Sequence, residues 1–261
     1  MEPTEILFVI NMNTISIIPS TIQPREGRFT YSKTRSVFSS EERFQQTIFT
    51  INSIQTSLPN SKVVLIDSSD EYKQYYNTFK HFNNFEYVPL KELSRSSFEI
   101  VNTHLNKSLC ESLILNSYFK EEKKTIKAYD YVLKGCGRYF YFNLNEKYFD
   151  NKNVDKIFFK YPLSFEWNNS WNYSFIDMRN SQNDNKIYQY CTVLYAFGSM
   201  HLEKFIDINN ACIHLLNQKS MLNYDIETLS YYFTRPFKNN IIETEWKVCG
   251  WDGTSGRFMY Y

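Results

Sequence analysis

Residues 62–69 read Lys-Val-Val-Leu-Ile-Asp-Ser-Ser, four aliphatics in succession running directly into an acid and two hydroxyls. A strand that is apolar on both faces must be covered on both faces, and the usual solution is a parallel sheet with helices above and below. The residues before it supply such a helix. Ser39-Ser40-Glu41-Glu42 offers a capping hydroxyl ahead of acidic first-turn residues, and Phe44, Ile48, Ile51, Ile54 and Leu58 recur at helical spacing until Pro59. Ile6 to Asn11 is a second short apolar run with a polar end. Strand, helix and strand in that order make a right-handed βαβ unit. The expected fold class is therefore α/β, a doubly wound and mostly parallel sheet of the Rossmann-related kind.

The pattern continues along the chain. Glu86 to Leu90 reads as a third strand, and Asn102 to Phe119 as a helix ended by the charged run 120–124. Tyr129 to Tyr141 reads as a central strand interrupted by the turn Gly135-Cys136-Gly137-Arg138. The second half is rich in aromatics: all four tryptophans (Trp167, Trp171, Trp246, Trp251) lie there, with a strand-like run Tyr190 to Phe197 and helices expected over His201 to Asn217 and Met221 to Phe233. Neither a repeat nor a flexible linker divides the 261 residues, so a single domain is expected.

Several function classes recede on composition. The 29 basic and 28 acidic residues cancel, which removes the electrostatic footprint of a nucleic-acid-binding domain. The apolar runs fall far short of the roughly 20 residues that span a bilayer, and no charged-then-apolar leader opens the sequence. Five cysteines without a CxxC pair, and four histidines without metal spacing, signal neither a disulfide framework nor zinc. A cytoplasmic protein is the expectation. No GxGxxG follows the first strand and no GxxxxGK[ST] occurs, so the dinucleotide and P-loop readings lack their glycines.

In an open parallel sheet, ligands bind beyond the carboxyl ends of the strands, where the strand order switches. That rule selects Asn11 and Asn13, then Asp67, Ser68 and Ser69, then Lys134 to Arg138 with the glycines Gly135 and Gly137, whose missing side chains would let a ligand approach. Arg43 and Lys107 read as helix-surface cations, and Glu111 as the i+4 ion-pair partner of Lys107.

The order Ile6 to Asn11, Thr34-Arg35-Ser36 with the helix from Ser40, and Val63 to Asp67 resembles the opening of the GT-A-fold glycosyltransferases, in which the first two strand ends hold base and ribose. Asn106-Lys107 at a helix start, followed by the strand Tyr129-Asp130-Tyr131-Val132-Leu133-Lys134, strengthens the likeness. The resemblance covers about residues 5–142. It implies a nucleotide-sugar half (about 1–142) and an acceptor half (about 143–261), a nucleoside diphosphate sugar as donor, and a glycan or glycoconjugate as acceptor.

One departure matters. Many members of that family carry Asp-x-Asp after this strand to bind a metal, and no Asp-x-Asp occurs anywhere in this chain. Cations can stabilise a leaving diphosphate without a metal. The expectation is thus a metal-independent enzyme, its donor clamped by Lys134 and Arg138 with Arg35, Arg43 and Lys107 as further candidates. Deprotonating an acceptor hydroxyl calls for a carboxylate or histidine, for which Asp225, Glu227 and His201 are the candidates. Asp225 and Glu227 lie two apart, so at most one should face the site. Trp246, Trp251 and Asp252, in a glycine-rich stretch, are candidates for acceptor contact. The alternatives are a non-catalytic carbohydrate- or nucleotide-binding module on the same sheet, and a nucleotidyl- or methyltransferase.

Overall fold

A computed structural model describes residues 12–144, 148–166, 186–219 and 224–261. In chain order its strands are β1 (Thr14–Ser20), β2 (Lys62–Asp67), β3 (Phe85–Pro89), β4 (Tyr131–Lys134), β5 (Tyr139–Phe142), β6 (Ile157–Lys160), β7 (Leu163–Glu166), β8 (Lys186–Gln189), β9 (Tyr195–Gly198), β10 (Ile241–Thr244), β11 (Lys247–Trp251) and β12 (Phe258–Tyr260). The helices are α1 (Ser40–Ser57), α2 (Lys73–Phe79), α3 (Leu90–Leu93), α4 (Arg95–Thr103), α5 (Lys107–Glu121), α6 (Lys123–Ile126), α7 (Leu202–Leu216) and α8 (Ile226–Thr234).

Seven strands form the central sheet in the order β10-β6-β9-β4-β1-β2-β3. All run parallel except β9, which is antiparallel to both its neighbours. The expected doubly wound, mostly parallel α/β architecture is the one found, and the sheet draws strands from both halves of the sequence. Alternation along the buried strands explains the layering. Ile15, Ile17, Val64, Ile66 and Val132 point to one face, where they meet α4, α5 and α7. Ile18, Val63, Leu65, Tyr131 and Leu133 point to the other, against α1, α2 and a small sheet of order β12-β11-β5.

Several boundaries differ from the sequence reading. The run Ile6 to Asn11 lies outside the described residues, and the place beside β2 expected for it is held by Thr14–Ser20. That strand mixes isoleucines with hydroxyls, which burial tolerates because they are bonded: Ser16 Oγ lies 2.7 Å from Ser61 Oγ. The single helix expected over 102–119 is two, broken at His104 and Leu105, with the Asn106 side chain accepting from Leu109 N at 2.8 Å to cap α5. The strand expected over 129–141 is also two. β4 stays in the central sheet, and β5 leaves it after the glycine turn to pair with β11. Likewise 190–197 holds the start of β9 rather than one strand, and α8 begins at Ile226 with Asp225 as its cap. The helix α1 appears where its capping box placed it, Ser39 and Glu42 bonding each other's backbone N–H.

Candidate active site

The strand order reverses between β1 and β4, and a cleft opens beyond their carboxyl ends. Its walls on one side are Ser20 and Thr21 at the end of β1, with Arg35 and Arg43; on the other stand Cys136, Gly137 and Arg138 after β4. Lys107 and Glu111, at the start of α5, form the shared floor that leads into a second chamber bounded by Thr192, Glu227, Asp252 and Arg257.

Arg43 is the least expected of these. It reads in the sequence as a surface residue of α1, yet it is 5% exposed. Its Nε donates to Thr21 O at 2.6 Å and its Nη1 to Ser36 Oγ at 3.2 Å. Among the described residues no carboxylate pairs with it. Burial, and then the like charge of Arg138, push against its charged form, and the buried Asp67 carboxylate pulls the other way without bonding it. A buried guanidinium with a second guanidinium in the same cleft and no ion-pair partner among the described residues is costly unless an anion arrives.

Arg138 lies on the opposite wall, its Nε donating to Trp251 O at 3.3 Å. A Cβ on Gly253 would come within 2.9 Å of Arg138 Cζ, so a side chain there would displace the guanidinium from its present place. Arg35 ties the long loop between β1 and α1 to the end of α4, donating to Val101 O at 2.9 Å and to His104 O. Lys107 Nζ stands 4.0 Å from Asp252 Oδ1, so the pair is loose.

Lys134 does not face the cleft. Its position in β4 turns it to the α5 side, fully buried, where Nζ pairs with Glu111 and donates to Thr192 O at 2.5 Å and to Cys136 Sγ at 3.0 Å. Its ammonium is held by Glu111 and by these two acceptors, away from the cleft where the sequence reading places it. Glu111, read from the sequence as a partner of Lys107, turns to Lys134 instead and borders both chambers.

Glu227 supplies the second carboxylate. Burial foremost, and then the charges of Asp225 and Glu111, push it up to about 7 against the opposing pull of Lys107. Thr192 Oγ1 donates to it at 3.0 Å. Asp225 caps α8, accepting from Thr228 N at 2.7 Å and from Gln189 Nε2 at 3.0 Å, and despite the two-residue spacing it borders one further cavity together with Glu227.

Other expected site residues lie elsewhere. Asn11 is outside the described residues. Asn13 precedes β1 at the far edge of the sheet, its carbonyl accepting from Asp130 N and Tyr131 N. His201 also belongs to that edge, buried with Nε2 2.7 Å from Asp155 O, because β9 runs antiparallel and delivers it there. Asp67 is at the correct edge but is fully occupied, accepting from Ile22 N, Ser69 N, Ser69 Oγ and Tyr87 O–H. Ser68 bonds Thr21 Oγ1 and Ser20 O. These two tie the ends of β1 and β2 together and set the wall without touching the cleft. Gly135 and Gly137 make room for the protein's own atoms: a Cβ would meet Tyr141 Oη at 2.9 Å in the first and Ser20 Oγ at 2.8 Å in the second. Trp246 is fully buried against Phe149 and Phe158 and is core. Trp251 lies on the outer side of the small sheet, and Asp252 borders the cleft, folding its own loop through Thr254 and Ser255.

Among the described residues no group of three or more His, Cys, Asp or Glu side chains is arranged to hold a metal ion, no helix is long and apolar enough to cross a membrane, and all five cysteines are free.

No family model matches the chain, and no curated protein matches it. Solved structures resemble it in outline. Core-mannan synthase A from Aspergillus fumigatus, in its Mn/GDP form, aligns over 91% of this chain and 74% of its own at 11% identity and a TM-score of 0.49. Mouse xyloside xylosyltransferase 1, in its apo form, aligns over 89% and 84% at 8% identity and a TM-score of 0.45. A protein described as a glucose-1-phosphate thymidylyltransferase from Bacillus anthracis, in complex with sucrose, aligns over 92% and 89% at 10% identity and a TM-score of 0.45. At these values the likeness concerns the course of the chain and carries nothing about the cleft.

Proposed function

We propose that the cleft binds a nucleoside diphosphate sugar and transfers its sugar to a hydroxyl of a glycan or glycoconjugate, making the protein a glycosyltransferase. The observation that carries this is Arg43: a buried guanidinium with no ion-pair partner among the described residues, lining one cleft with Arg138 at the strand-order switch where α/β sheets bind phosphates. Arg43, Arg138 and Lys107 take the two phosphates, and Arg35 with the loop it braces covers the nucleoside side. As the bond between the anomeric carbon and the diphosphate oxygen breaks, the charge left on the diphosphate develops between these cations. Glu227 takes the proton of the attacking acceptor hydroxyl, its affinity for that proton being matched to neutral pH. Glu111, held by Lys134, and Asp252 border the place where the acceptor hydroxyl enters. The clamp is made of cations, and the donor reading is metal-independent.

A thermal-shift screen of nucleoside diphosphates and their sugars, run in EDTA and in manganese, tests the reading, because a ligand of the native state raises the melting temperature by mass action. A shift in EDTA with one base supports it. A shift that needs manganese removes the metal-independent clamp, and none with any nucleotide removes the donor site.

A further inference from the structure

The small sheet turns one face to the core and leaves the other to solvent. Tyr139, Tyr141 and Val248 point inward and are buried. The alternate positions point outward: Phe140 and Phe142 on β5 and Trp251 on β11, with Phe258 and Tyr260 on β12. Phe49 of α1 extends the row. Phe142 is 49% exposed, Phe258 55% and Tyr260 68%, a concentration of open rings that ordinary surfaces lack. The rings adjoin in sequence across the sheet, Phe49 to Phe140 at 5.8 Å, Phe140 to Trp251 at 5.6 Å and Trp251 to Phe258 at 5.1 Å between centroids. Their planes stand 44°, 65° and 75° to one another, giving a stepped surface of separate ring faces rather than one flat apolar patch.

We propose that this outer face binds the saccharide chain of the acceptor, one sugar ring to a step. The inference rests on the donor reading above for its direction, and continuity with the cleft identifies the occupant. Trp251 is both a ring of the ladder and, through its carbonyl, the partner of Arg138. The next residues, from Asp252 to Arg257, turn the corner between ladder and cleft and contribute Asp252, Ser255 and Arg257 to the second chamber. Tyr139 and Met259 line the chamber from the inner face of the small sheet, so a chain whose end lies at Glu227 would pass over the 252–257 turn to reach Trp251 and Phe258 on the outer face. Sugar rings offer flat C–H faces to such surfaces and hydroxyls to solvent, whereas an anionic bilayer would call for a cluster of basic residues around the rings, and the described residues of the β11–β12 hairpin and β5 place Lys247 and Arg257 there.

The test uses the full chain with Phe258→Ala and Tyr260→Ala, which leave the cleft residues in place, and measures calorimetric binding of mannohexaose, xylohexaose, cellohexaose, maltohexaose and chitohexaose, with the nucleotide-induced melting shift read in parallel. The expected result is binding of at least one saccharide that each variant weakens about tenfold or more, the nucleotide shift being unchanged. No saccharide binding by the wild type, or equal binding by the variants, overturns the proposal. So does a loss confined to self-association or to adsorption on phosphatidylserine vesicles. If the saccharide result holds and the nucleotide shift is absent, the platform stands and the donor reading falls.

Discussion

Replacing Lys134 separates the two roles a lysine at this strand end could have. The side chain is fully buried and its ammonium is held by Glu111, Thr192 O and Cys136. Lys134→Ala leaves the Glu111 carboxylate without its cation in a site 17% exposed at that side chain, and breaking a buried pair from one side costs about 3–5 kcal/mol. For a domain of this size each kcal/mol moves the melting temperature by roughly 2–4 °C, so a fall on the order of 10 °C is expected. Removing both charges together should restore most of it: Lys134→Met with Glu111→Leu is expected within about 1–2 kcal/mol of wild type, because the uncompensated charge is gone. Chemical denaturation of the wild type, Lys134→Met, Glu111→Leu and the double variant, fitted for the coupling between the two sites, is the assay, with Lys134→Ala read alongside. A Lys134→Ala protein as stable as wild type but unable to bind nucleotide would refute the reasoning and return Lys134 to the cleft surface.

Glu227→Gln should abolish transfer while raising stability at alkaline pH. Its folded-state pKa of about 7 lies above the ordinary 4.5, so the stability tied to this group is complete below about pH 4.5 and is lost as pH rises through 7. The variant escapes that loss, by at most about 3 kcal/mol near pH 8 and less as far as the cleft admits water, and matches wild type near pH 4 in urea titrations. In the wild type, kcat/KM should rise with pH through an apparent value near 7; a flat profile would remove Glu227 as the base. Asp225→Ala should cost about 1 kcal/mol of stability through its cap, with activity lost far less than in Glu227→Gln. Trp246→Ala should destabilise by about 3–5 kcal/mol as a core deletion, whereas Trp251→Ala should leave the melting temperature within a few degrees.

The fold was legible because its signals are local. The capping box at Ser39 and Glu42 and the run Val63 to Ile66 each need only their own neighbours. The first strand misled because Ile6 to Ile10 is more apolar than Thr14 to Ser20, whose hydroxyls are matched only by residues as distant as Ser61. The switch-point rule selects segments that border the cleft, Gly137 and Arg138 among them. It could not tell which strand-end side chains turn inward. Asp67 and Lys134 look alike in sequence as polar residues ending apolar strands, and both are consumed by bonds to residues far away in the chain. Arg43 was undervalued for the converse reason. Arg43, Gln46, Thr47 and Thr50 continue the buried face of Ile51 and Ile54 toward the helix start, where an apolar stripe drawn through Phe44 and Ile48 passes them by, and Thr47 Oγ1 meets Gly137 O at 3.1 Å. His201 and Asn13 failed on strand direction, which no short stretch of sequence encodes.

The central claim is that Arg43 and Arg138 together form a diphosphate site. Isothermal titration of a nucleoside diphosphate and the corresponding monophosphate, against wild type, Arg138→Ala and Arg43→Met in EDTA, tests it most directly. The account requires that each substitution weaken the diphosphate by about tenfold or more and the monophosphate much less; equal affinities across the three proteins, or equal losses for both nucleotides, would contradict it.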